Sequence, residues 1–110
     1  MDELIINYEW RWVGRDLLVL ITGGKEHLGS VISKAFSFSF PGHRDSVISD
    51  AAAASISAAL NTNCVVLCGI HFDNITREQI EEVVRKGEKL AEAVIAECSA
   101  GLQKTGRGSL

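Results

Sequence analysis

Between Leu4 and Val13 apolar and polar positions alternate, with Ile6, Tyr8, Trp10 and Trp12 on one side and Asn7, Glu9 and Arg11 on the other. A period of two with aromatic enrichment predicts a half-buried strand. Gly14-Arg15-Asp16 is a turn signal, and Leu17 to Thr22 resumes as an apolar strand. The two strands predict a hairpin that ends at Gly23-Gly24. Alternation returns from Ser30 to Phe40. Ile32, Phe36, Phe38 and Phe40 share one side with Lys34, and Val31, Ser33, Ala35, Ser37 and Ser39 form a small, semi-polar side. This predicts one continuous third strand, broken by Pro41-Gly42.

The period then changes. Ile48, Ala51, Ala52, Ser55, Ile56, Ala59 and Leu60 recur at spacings of three and four, which predicts a helix over Asp45 to Leu60. Asp45 or Ser46 is its candidate N-cap. After the turn Asn61-Thr62-Asn63, the unbroken apolar run Cys64 to Ile70 predicts a central strand. Thr76 with Gln79 fits a capping box at the start of a second helix. Ile80, Val83, Val84, Gly87, Leu90, Ala91, Val94 and Cys98 form its apolar stripe. A glycine inside a helix costs about 1 kcal/mol against alanine, so Gly87 predicts close packing.

These elements give an α+β fold of order β-β-β-α-β-α, with a mostly antiparallel sheet and two helices on one face. Residues 1–100 are expected to form one α+β domain, and residues 101–110, which show no periodicity, a disordered C-terminal tail. Tyr8, Trp10 and Trp12 are generous for a sheet face left in water. They predict a homodimer, through the sheet or the helix face.

Composition narrows the function classes. The 110 residues carry a net charge of -3, which gives no basic footprint for nucleic acid. The apolar runs are too short to cross a bilayer, and the acidic start Met1-Asp2-Glu3 lacks a signal peptide's basic region. A cytoplasmic, membrane-free protein is expected. Cys64, Cys68 and Cys98 read as buried reduced thiols, and they lack the close cysteine pairs of a structural zinc site.

The three histidines carry the candidate chemistry. They lie in Gly23-Gly24-Lys25-Glu26-His27-Leu28-Gly29, in Pro41-Gly42-His43-Arg44-Asp45 and in Gly69-Ile70-His71-Phe72-Asp73-Asn74, each at the end of a predicted element. Histidine serves as a metal ligand, a proton carrier near neutral pH and a hydrogen-bonding group. A Gly-Gly turn presents backbone N–H groups to an anion. His43 and Arg44 precede a helix N-terminus, which attracts phosphate. Gly69 marks the close approach of a ligand or another backbone. Asp73 is placed to orient the His71 imidazole. Gly23, Gly24, His27, His43, Arg44, His71 and Asp73 are therefore the candidate ligand-binding residues. A divalent metal on His27, His43 and His71, as in a three-His enzyme site, is the rival reading. A protein-assembly chaperone that uses its sheet face is the third. No catalytic nucleophile is expected, because no serine lies in a G-x-S-x-G elbow and no cysteine lies beside a histidine.

The three motifs, in this order and over roughly Leu17 to Glu97, resemble the small prenylated-flavin chaperone family associated with gallate decarboxylase. Gly69-Ile70-His71-Phe72-Asp73-Asn74 is the most distinctive of them. The resemblance implies a non-catalytic carrier that binds prenylated FMN, or FMN, made by a flavin prenyltransferase and delivers it to a UbiD-like decarboxylase. It also implies a fold similar to proteasome-assembly chaperones, and hence an α+β homodimer.

Overall fold

The first hairpin forms as its alternation predicts. Strands β1 (Ile6–Val13) and β2 (Asp16–Gly24) pair antiparallel, with Tyr8 opposite Ile21 and Trp10 opposite Val19. A computed structural model of the chain describes residues 4–25, 27–33, 36–39 and 46–110, with backbone alone at 36–39 and 46. The further elements are β3 (Ser30–Ser33), β4 (Phe36–Ser39), α1 (Ser46–Leu60), β5 (Cys64–His71), α2 (Arg77–Ser99) and β6 (Thr105–Ser109). Among the described residues the sheet order is β4-β3-β5-β2-β1-β6. Only β2 and β5 run parallel; the other four neighbouring pairs are antiparallel.

Two expectations about the strands need correction. The single strand over Ser30 to Phe40 is two strands, β3 and β4, paired antiparallel with Ser33 opposite Phe36 and Val31 opposite Phe38. A period of two survives such a pairing, so the sequence pattern alone does not reveal it. Phe36 and Phe38 stand in register with Ser33 and Val31 rather than sharing the Ile32 positions. The tail expected to be disordered contains β6, which pairs antiparallel with β1. In that ladder Gly106 stands opposite Trp10 and Gly108 opposite Tyr8. The glycines leave room for the aromatic rings, because a Cβ at Gly106 would overlap the Trp10 indole and one at Gly108 would crowd the Tyr8 ring. A bare strand flanked by large cross-strand aromatics needs no apolar side chains of its own.

Helix α1 packs against β3 and β5, α2 against β1 and β6, and the two helices against each other. They cover one sheet face, formed by Ile6, Tyr8, Trp10, Leu17, Val19, Ile21, Ile32, Cys64, Val66 and Cys68. The expectation that Tyr8 and Trp10 face away from the helices is therefore wrong. They are 7% and 2% exposed and belong to the core. Helix α2 begins with the capping box, in which Gln79 N–H donates to Thr76 Oγ1 at 3.1 Å and Thr76 N–H to Gln79 Oε1 at 2.9 Å. Gly87 packs as its position predicts, since a Cβ there would come within 2.8 Å of Ile48 Cγ2. The buried side of α1 is rotated from the expected stripe. It comprises Ile48, Ser49, Ala52, Ala53, Ile56 and Ser57, while Ala51, Ser55 and Ala59 are exposed. The helix meets both sheet and α2, and Ser49 joins the buried side because its hydroxyl pairs with that of Ser30 at 2.8 Å.

Candidate functional site

The first and third histidine motifs meet where β2 and β5 end side by side. Gly24 pairs with His71 at the end of the parallel ladder. Just beyond it, Lys25 N–H donates to the His71 carbonyl at 2.9 Å. The chain then crosses β5, where Gly29 N–H donates to the Cys68 carbonyl at 2.8 Å. This crossing explains Gly69, because a Cβ there would overlap the backbone carbonyl of His27. Of the two partners that Gly69 predicted, ligand or backbone, the structure supplies the backbone. Gly24 is similar. It adopts φ +67°, and a Cβ on it would collide with the His71 carbonyl and crowd the Phe72 ring. The amide of Lys25, which a phosphate cradle on this turn would use, is already engaged. Gly24 is thus accounted for by backbone packing, and Gly23 by the Ile6 side chain, which a Cβ there would approach to 2.8 Å.

The crossing brings two of the three imidazoles together. The rings of His27 and His71 lie 6.0 Å apart between centroids at 79°, an edge-to-face arrangement. Both ring nitrogens of His27 are buried. His71 is half exposed, and its Nε2 lies 3.0 Å from Asp73 Oδ1, the contact expected from their spacing. A carboxylate beside an imidazole fixes its orientation. His43 and Arg44 lie outside the described residues, as do the rest of the Pro41–Asp45 motif and the Asp45 cap. Among the described residues no group of three His, Cys, Asp or Glu side chains is arranged to hold a metal ion.

By strand alternation His71 falls on the same side of β5 as Val65 and Leu67, the sheet face that the helices leave bare. Strand alternation and register place Leu18, Leu20 and Thr22 of β2 and Val65 and Leu67 of β5 on that face, with Glu9 and Arg11 of β1 and Arg107 of β6 beside them. Two adjoining concavities of about 500 and 590 Å³ lie there, and they share Glu9, Leu20 and Arg107. Sites for small molecules typically measure about 300–1,000 Å³ and combine apolar walls with a few polar groups.

Under the helices lies a polar cluster that sequence reading missed. The Glu97 carboxylate of α2 accepts hydrogen bonds from the Tyr8 hydroxyl and from Trp10 Nε1–H, the latter at 3.1 Å. Burial, and then the Glu97 hydrogen bond and charge, push the Tyr8 phenol up to about 12. Burial likewise raises the Cys64 and Cys98 thiols to about 11, so they are not activated nucleophiles. No periodic signal separates Glu97 from the other glutamates of α2. Tyr8 and Trp10 were visible only as aromatics on one side of a strand.

No helix among the described residues is long and apolar enough to cross a membrane. Residues 1–99 match the family described as the prenylated flavin chaperone LpdD-like domain. Protein LpdD of Lactiplantibacillus plantarum is 32% identical over 95 residues, covering 76% of this chain and 70% of that protein. The chain belongs to the LpdD-like prenylated flavin chaperone family.

Proposed function

We propose that this protein is a non-catalytic carrier of prenylated FMN, which receives the cofactor from a flavin prenyltransferase and passes it to a UbiD-like decarboxylase in the cytoplasm. The observation that carries this reading is the family match over residues 1–99. The site geometry supports it. His71, oriented by Asp73, acts as a polar grip for the flavin, and His27 backs its ring edge-on. His43 and Arg44, outside the described residues, belong to the proposed set by their sequence motif alone. Gly23 and Gly24 contribute by letting β2 end against His71 and Phe72. Imidazoles can meet the polar edges of the ring system, and the open face offers apolar surface beside guanidinium groups. The cofactor supplies its chemistry in the client enzyme; here the protein binds, orients and shields it. We further propose that the working unit is a homodimer.

The test is anaerobic size-exclusion chromatography of the pure protein with reduced prenylated FMN. The cofactor is expected to co-elute with the protein and to activate cofactor-free decarboxylase afterwards. His71→Ala is expected to weaken retention about tenfold or more, the usual scale for a hydrogen bond to a charged group. Elution of all cofactor with the small molecules would end the proposal.

A further inference from the structure

The bare sheet face carries a feature that the histidine motifs do not explain. Arg11 and Arg107 are diagonal neighbours across the β1–β6 ladder, because Arg11 pairs with Thr105 and Arg107 with Glu9. Such positions lie about 7–8 Å apart, within reach of long side chains. Among the described residues neither guanidinium has a carboxylate within ion-pair distance, although Glu9 stands between them in register. Both line the concavity of about 500 Å³, together with Leu18, Leu20 and Leu67. Unpaired arginines beside an apolar floor suit a ligand with one anionic end and one flat apolar end.

We infer that Arg11 and Arg107 hold the phosphate of the flavin, while Leu18, Leu20 and Leu67 seat its ring system and prenyl group. This inference rests on the carrier reading above and adds a second half to its site. From Leu18, opposite Arg11, to Gly24, opposite His71, β2 runs six residues, about 20 Å at strand rise. That span is comparable to the long axis of an extended flavin mononucleotide, so one ligand reaches from the arginines towards His71. Charge decides the direction. Arg11 and Arg107 are the cationic side chains that line the concavity, whereas Asp73 beside His71 is a carboxylate that repels phosphate. Glu9 opposes the phosphate locally, so removing its charge is expected to tighten binding.

The experiment compares two reduced prenylated flavins, with and without the 5′-phosphate, by anaerobic fluorescence titration. Wild-type protein is set against Arg11→Gln/Arg107→Gln, Glu9→Gln and Leu20→Glu/Leu67→Glu. The double arginine variant is expected to lose at least tenfold in affinity for the phosphorylated ligand and little for the other. Glu9→Gln should bind the phosphorylated ligand more tightly, and Leu20→Glu/Leu67→Glu should lose both. Circular dichroism confirms that each variant is folded. If wild type binds neither ligand, the carrier reading itself fails. If wild type binds and the arginine variant binds equally well, the carrier reading stands and this site is wrong. If Leu20→Glu/Leu67→Glu splits a dimer in sedimentation and leaves flavin affinity unchanged, the face is a subunit interface and the inference is overturned.

Discussion

Two faces of one sheet are built from the same strands, and neighbouring residues point to opposite fates. On β1, Tyr8 and Trp10 lie under α2 while Glu9 and Arg11 stand on the bare side. On β2, Leu17, Val19 and Ile21 are sealed, yet Leu18 and Leu20 are only half buried. The covered face uses its polar atoms internally, with both aromatic donors ending on Glu97. The bare face keeps arginines without carboxylate partners among the described residues, beside leucines with no helix over them. Apolar residues on a covered face report stability. Apolar residues on a face that the chain leaves open, flanked by uncompensated charge, report binding.

The sharpest way to break this contrast is to truncate one leucine from each region. Leu90 of α2 is fully buried against the covered face, so Leu90→Ala is expected to cost about 2–5 kcal/mol in urea unfolding. Leu20→Ala removes a half-buried side chain that leaves no closed cavity, and is expected to cost less than about 1.5 kcal/mol. Equal losses would mean that the bare face is covered in the folded protein.

A smaller effect is expected at Glu97. Glu97→Ala leaves the Tyr8 hydroxyl and the Trp10 indole N–H without their acceptor in a largely buried setting. Unsatisfied buried donors cost about 1–3 kcal/mol each, and partial access to water places the expected loss near the lower end. Glu97→Gln keeps an oxygen acceptor and is expected to recover part of it. The same variants should leave flavin affinity within about twofold, because Glu97 lies on the covered side, where single distant changes act additively.

How legible these regions were differs in the same way. The covered side follows from periodicity: the β1–β2 hairpin, both helices, the α2 capping box and the close packing at Gly87 all read directly from spacing. His71 and Asp73 were legible because two residues on one short segment share a side. The split of Ser30–Phe40 into β3 and β4 was hidden because a period of two survives the pairing. Strand β6 was hidden because Thr105-Gly106-Arg107-Gly108-Ser109 contains no apolar residue. Its one signal was glycine at two alternate positions, matching the spacing of Tyr8 and Trp10, and that signal means nothing until the strands are paired. The Arg11–Arg107 juxtaposition depends on β6 and was therefore invisible too. Contacts within a segment are written in its spacing, whereas contacts between distant segments need the register.

The subtlest expected effect concerns pH, and the chain is suited to measuring it because Tyr8 is its only tyrosine. Ultraviolet titration of phenolate therefore reports Tyr8 alone. In the folded protein its midpoint is expected near 12, against 10 for an unperturbed phenol. Burial is the main cause, with the Glu97 hydrogen bond and charge adding to it. The sign follows from linkage. A phenol that resists ionisation in the folded state stabilises the fold while it remains protonated. That contribution is complete below the unfolded value near 10 and is lost as pH rises through about 12. Thermal stability should thus gain an extra decline between these values, one that Tyr8→Phe abolishes. Glu97→Gln should lower the midpoint without returning it to 10, because burial persists. A native midpoint at 10 would place the Tyr8 hydroxyl in water, and the distinction between the covered and bare faces of β1 would fail at its first aromatic.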